Sequence, residues 1–203
     1  MKMAWILFLT LLSCGLPSLS QATGDRSAIK LTFLRLQNEG TAERAAKHLQ
    51  AMAKSDPAVR AYLSSNLPAV IEEHHRGTVW LNAVRLAGNL KIVSAVDTLV
   101  ASLGENNVGG TFTFAEERRL DNDPPAKALA EIGDPSVPAV KRALIKPESE
   151  TRWRAARVLA NINSQSARAA LADHLQNEPD AHLRAFIRSV IGRSGGQTSR
   201  QRR

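Results

Sequence analysis

The chain has 203 residues, one cysteine, 4% aromatic residues and a formal charge of +8 from 27 Lys/Arg against 19 Asp/Glu. That length suits one domain or one short repeat array, and 43% hydrophobic with 23% charged residues is the composition of a folded globular chain. A single cysteine excludes a disulfide scaffold and a cysteine-based zinc site.

The first element in chain order is a leader. Met1 to Ala22 carries one lysine, an apolar core from Met3 to Leu12, a break at Gly15 to Pro17 and small residues at Ser20 and Ala22. This is the layout of a secretory signal peptide cleaved after Ala22. The apolar run falls short of the roughly 20 residues that a membrane span needs, and Pro17 ends it. Leu11-Leu12-Ser13-Cys14-Gly15 resembles a bacterial lipoprotein box, which gives Cys14 a second reading as a lipidated first residue, although Leu12 is bulkier than that pattern prefers. Cleavage after Ala22 instead leaves a cysteine-free chain suited to an oxidising compartment. The expected location is periplasmic or secreted, with membrane attachment only through Cys14.

From Thr23 onward apolar residues recur three and four apart, as at Ala45, Leu49 and Met52, which predicts helices almost throughout. Thr41, Asp56-Pro57 and Asp134-Pro135 mark helix starts, since an Asp accepts from free N–H groups and Pro opens a helix without losing a bond. Gly77, Gly104 and Gly192 are expected stops. Self-comparison aligns five windows, Arg60 to Leu67, Ala83 to Leu90, Pro125 to Ile132, Ala155 to Ile162 and Arg184 to Ile191. Six residues before each end stand Ala61, Val84, Ala126, Ala156 and Ala185; two before it stand Ser65, Gly88, Ala130, Ala160 and Ser189. Residues four apart share a helix face, so this strip of small side chains lets a neighbouring helix approach closely.

Ile132, Ile162 and Ile191 recur at about 30 residues, the length of a helical hairpin with its turns. Second helices are expected over Ile92 to Leu103, Ser136 to Ile145 and Ala167 to Leu175. Leu67 to Leu90 is too short for a full unit, so the first repeat is degenerate or reshaped by Pro68. Leu90 to Ile132 is too long, which implies an insert at 104–123.

Asp56-Pro57-Ala58-Val59-Arg60 and the run Ala128 to Val140, with Gly133-Asp134-Pro135 at its centre, resemble the HEAT repeat, in the short bacterial form related to the phycobilisome-lyase type. The resemblance is strongest from Pro125 to Gly192, fair from Gly77 to Leu103 and weak before that. It implies an all-α fold, an α-α superhelix of stacked helical hairpins over residues 23–192, with four or five repeats. Such solenoids bind other proteins, and no activity is common to the family.

Residues with chemical potential have mostly structural readings. Adjacent His74 and His75 after Glu72-Glu73 point about 100° apart on a helix and do not converge on one ion. They read as a solvated helix end, and so do His174 and His182 with Asp173 and Asp180. No HExxH, P-loop, GxSxG or GxGxxG motif occurs, so no catalytic, cofactor or metal site is expected. Arg152, Arg154 and Arg157 beside Trp153, and Arg184 and Arg188 in the next unit, are expected along a solvated helix face, paired with Glu148, Glu150 and Asp180.

The insert is long for a loop. Within it Thr111 to Phe114 alternates polar and aromatic residues, Phe112 and Phe114, and Arg118 and Arg119 follow; it reads either as a finger contacting a partner or as a flap folded over the solenoid edge. Residues 193–203 form a polar tail, expected to be disordered, in which Arg200, Arg202 and Arg203 are the polyanion-contact candidates. With Lys2 in the leader and four arginines in this tail, the repeat body is nearly balanced in charge.

The sequence therefore points to a non-enzymatic interaction scaffold of the bacterial cell envelope, with an unidentified envelope protein as partner. Binding of anionic envelope polymer or lipid is the alternative. A tetrapyrrole-lyase-like enzyme or chaperone is suggested by the repeat subtype alone. No nucleic acid partner is expected for a secreted chain.

Overall fold

The computed structural model describes residues 19–103 and 120–192. Among the described residues the chain forms ten α-helices and no strand, a stack of helical hairpins as expected for a HEAT-like solenoid. Cys14, Phe112, Phe114, Arg118, Arg119, Arg200, Arg202 and Arg203 all lie outside the described residues.

Helix α1 (Leu19–Leu36) precedes four hairpins, α2 (Ala42–Ser55) with α3 (Pro57–Glu73), α4 (Gly77–Asn89) with α5 (Val96–Ala101), α6 (Pro124–Ile132) with α7 (Val137–Ala143), and α8 (Ser149–Ile162) with α9 (Gln165–Leu175). A single helix, α10 (Ala181–Gly192), closes the series. Helices α2, α4, α6, α8 and α10 stack in one layer, and α3, α5, α7 and α9 in the other. Helix α1 begins ahead of the expected cleavage point after Ala22, and Ile29 and Phe33 are among its buried core side chains.

One continuous core runs between the layers. Leu49, Leu63, Leu67, Leu86, Leu129 and Leu159 are fully buried within it, and each such leucine contributes roughly 1.5–3 kcal/mol through removal from water. Phe33 of α1 meets Tyr62 of α3 edge-on, with ring centroids 5.4 Å apart, and so seals the first hairpin. Trp153 and Phe186 make the matching contact at the far end, 5.5 Å apart.

The small-residue strip packs as expected in the middle of the stack. A Cβ on Gly88 would stand 2.8 Å from the Cα of Ala128, so α4 and α6 meet at a distance only glycine allows. Val84, Ala126 and Ala156 are buried and Ala130 and Ala160 half-buried. Both end windows depart from expectation: in α10, past which no further described helix stacks, Ala185 and Ser189 are exposed, and the first window sits in the other layer. Arg60 to Leu67 lies in α3, the second helix of its hairpin, and Ala61 and Ser65 are exposed. The first-layer counterpart is α2, where Ala45-Ala46-Lys47-His48-Leu49-Gln50-Ala51-Met52 repeats the rhythm of Ala155 to Ile162. The short spacing from Leu67 to Leu90 thus compared helices from two different layers.

Pro68 does not break α3, which continues to Glu73. A proline donates no N–H to the carbonyl four residues earlier. Here that carbonyl, on Ser64, accepts instead from the Ser94 hydroxyl at 2.6 Å, a donor from the next repeat.

Helix ends follow the sequence at some places and not at others. Asp56 caps α3 by accepting from Ala58 N–H at 2.7 Å, whereas Thr41 donates its hydroxyl to the Arg35 carbonyl and makes no side-chain cap. Asp134-Pro135 opens a 3-10 turn ahead of α7, and the Asp134 carboxylate accepts from Ser166 Oγ of the next repeat at 2.7 Å. Gly77 starts α4 and is not a stop. Its φ of +85° suits glycine, and Glu39 accepts from the neighbouring Thr78 N–H at 3.0 Å, supplying the cap that Arg76 lacks. The insert closes earlier than expected, since Leu120 is buried and Asp123 caps α6.

Candidate functional site

The described surface is hollowed where the C-terminal ends of α7 and α9 lie side by side. A cavity of about 500 Å³ opens there, walled by Leu144, Ile145, Pro147, Ala170 and Pro179, with Lys141, Lys146, Asp173 and Asn177 around it. A second hollow of about 530 Å³ lies on the other side of α7, between α5, α7 and the start of α8, and Lys146 lines both. Ile145, beside Lys146, is 78% exposed.

Buried charge forms the base of the first cavity. The Arg152 guanidinium lies against Glu178, with Nε 3.1 Å from Oε2 and Nη2 3.2 Å from Oε1. Its Nη1 donates to the carbonyls of Lys146 and Pro147 at 3.1 and 2.7 Å. The Glu178 side chain is wholly buried, and its carboxylate also accepts from the Asp180 N–H at 2.9 Å and pairs with His174 Nε2 at 2.5 Å. Burial opposes ionisation of Glu178, yet the bonds from Arg152, Asp180 and His174, with the Arg152 charge, hold its carboxyl below the usual range. Burial also opposes ionisation of Asp180, but the Trp153 indole and the Leu183 and His182 N–H groups keep it below its ordinary value.

Three of the five arginines therefore do not line a solvated face, contrary to expectation, whereas Arg188 is exposed and Arg184 half-buried. Arg152, Arg154 and Arg157 are all buried. Arg154 bridges the buried Asp123 at 2.9 Å and reaches Glu150 at 2.8 Å. Of the expected partners, Glu150 does pair with Arg154, and Asp180 accepts from Trp153 Nε1 at 3.1 Å rather than from an arginine. His174 is likewise buried against Glu178 and is no solvated helix end, while His75 and His182 are exposed. Among the described residues no group of His, Cys, Asp and Glu has a geometry that could hold a metal ion.

Sequence reading missed Glu178 and Asp123 because they approach the arginines from other segments, 26 residues later and 31 earlier. A repeat-spaced signal was present. Pro147 precedes Arg152 by the same interval as Pro179 precedes Arg184, and Arg184 Nη1 also takes two turn carbonyls, those of Glu178 at 2.6 Å and Pro179 at 2.9 Å.

Across the surface of the second layer, ion pairs join successive repeats. Asp97 of α5 meets Arg142 of α7 at 2.8 Å, and Lys141 of α7 meets Asp173 of α9 at 2.7 Å. These exposed pairs add little stability individually but fix the register of neighbouring helices at the rim of both hollows.

The family model described as HEAT repeats matches residues 126–191, from the first turn of α6 into α10, which includes the first cavity. No curated protein and no solved structure matches the chain. With its hairpins stacked in two layers, the described chain is an all-helical repeat solenoid, of which residues 126–191 are similar to HEAT repeats.

Proposed function

We propose that this chain is a non-enzymatic scaffold of the cell envelope that holds a protein partner on the α7–α9 surface. The observation that carries this reading is the match of residues 126–191 to HEAT repeats, which generally mediate protein–protein interaction, over the helices that frame the apolar groove. Apolar walls over a satisfied ionic base suit the burial of a partner's side chains. Placement in the envelope rests on the leader Met1 to Ala22, with Cys14 as a lipid anchor if cleavage falls before it. Burial removes Arg152, Arg154 and Arg157 from any contact with anionic polymer, and Arg200, Arg202 and Arg203 stay the candidates for it.

Crosslinking in intact cells, followed by capture of the tagged chain and mass spectrometry of its N-terminus, tests both parts. The expected result is a mature chain starting at Thr23 or at lipidated Cys14, crosslinked to an envelope protein. An intact Met1 to Ala22 on cytosolic protein would sink the envelope assignment, and absence of any crosslinked protein would sink the scaffold.

A further inference from the structure

The groove beside Ile145 has a chemistry that selects its occupant. We propose, resting on the scaffold reading, that it docks an extended segment of the partner protein in which a large apolar side chain is flanked by carboxylates. The cavity of about 500 Å³ admits one or two large side chains between Leu144, Pro147, Ala170 and Pro179. Ile145, at 78%, is more exposed than Leu31, Leu34 or Val93, the other exposed large apolar side chains of the described residues. It lines the first hollow, and its neighbour Lys146 lines both, so a chain laid across the pair reaches from one to the other.

The site is preformed. Each nitrogen of the Arg152 guanidinium already bonds Glu178 or the carbonyls of Lys146 and Pro147. A ligand entering above it has no buried charge to rearrange, which lowers the cost of binding. The same bonds cover carbonyls that, left free after α7, would favour a cation.

The charge at the mouth then decides the sign of the partner. Lys141 is bridged to Asp173 and Arg142 to Asp97. Lys146 lines both hollows and has no ion-pair partner among the described residues, while Glu148 lines only the far hollow. The uncompensated charge beside Ile145 is therefore positive and complements a carboxylate, and a basic segment meets Lys146 as a like charge.

Selection of random displayed peptides on the immobilised full chain tests this, followed by fluorescence anisotropy with a labelled synthetic copy of an enriched peptide. Enrichment of sequences with Leu, Ile, Phe or Met between Asp or Glu is expected. Ile145→Asp should weaken the peptide about tenfold and Lys146→Glu about three- to tenfold, the latter variant preferring a copy with lysines in place of the acids. Both positions are exposed, and matching thermal melts establish that the variants fold. Enrichment of basic sequences, no enrichment, or unchanged binding by Ile145→Asp overturns the proposal. So does retention on phosphatidylglycerol vesicles that Lys146→Glu abolishes and Ile145→Asp leaves intact, which marks a lipid surface. Capture of the same envelope protein by Ile145→Asp and the natural chain sinks this groove while the scaffold stands. Selective peptide binding without any envelope partner does the reverse.

Discussion

Arg152 of α8 and Glu178, which follows α9, form a buried ion pair, and the same guanidinium holds the turn carbonyls of Lys146 and Pro147. One side chain thereby ties the α7–α8 turn to the α9–α10 turn. Arg184 repeats half of this clasp one unit later, on the carbonyls of Glu178 and Pro179. The pair is thus the joint between the last two hairpins as well as the base of the groove.

Removing one partner strands a buried charge. Glu178→Ala is expected to cost about 3–5 kcal/mol in urea unfolding, because Arg152 then lies unpaired in the interior. The double variant Arg152→Met with Glu178→Met should lose clearly less than Glu178→Ala alone, since neither charge remains to be desolvated. Equal losses would show that packing, rather than charge, governs this joint.

Acid should loosen the same joint. The Glu178 carboxyl is held below its ordinary value of 4.5 in the folded chain, so the unfolded chain takes up the proton first as pH falls. The stabilisation is complete above the ordinary glutamate range and is lost as pH drops through the lowered folded value. Unfolding free energy measured from pH 6 downward should decline below about pH 5, and Glu178→Gln should show a shallower decline. An identical slope in that variant would remove Glu178 as a source of acid sensitivity.

Gly88→Ala sets two effects against each other. Alanine gains about 1 kcal/mol of helix propensity over glycine, but its Cβ would lie 2.8 Å from the Ala128 Cα and 2.5 Å from Glu131 Oε2. The glutamate can swing aside; the backbone of α6 cannot without parting the helices, an overpacking cost of typically 1–3 kcal/mol. A net loss of up to about 2 kcal/mol is expected, read as a lowered melting temperature. A rise would mean that α4 and α6 adjust freely.

Pro68 and Ser94 should be coupled. Ser94→Ala leaves the Ser64 carbonyl without its donor and is expected to cost about 0.5–1 kcal/mol. In a Pro68→Ala background the substituted residue regains a backbone N–H that reaches that carbonyl, and the serine becomes nearly dispensable. A double-mutant cycle giving no coupling would show that the Ser94 bond does not compensate the proline.

Much of the fold was legible in the sequence, for a physical reason. Helical periodicity, the recurring small strip and the Asp-Pro start at Asp56 are local or strictly repeating signals, and a solenoid is built from contacts between neighbours. Gly88 stands in that strip and does allow α4 and α6 to touch. Errors arose where one layer mimicked the other, as with Ala61 and Ser65, and where a distant side chain completed a helix end, as Glu39 does for α4. Gly77 read as a terminator, and only the arriving Glu39 carboxylate shows why it begins a helix.

The candidate groove was not legible at all. Arg152, Arg154 and Arg157 look like a solvated basic stretch until Glu178 and Asp123 arrive from other segments to neutralise two of them. By itself the sequence determined an all-helical repeat, its period over the last units and a chain body of balanced charge, because these depend on composition and near-neighbour spacing. Tertiary structure decided which charges are buried, leaving Ile145 exposed at one hollow and Lys146 on the edge of both. Burial is a property of what stacks on a helix, and that is settled only when the hairpins meet.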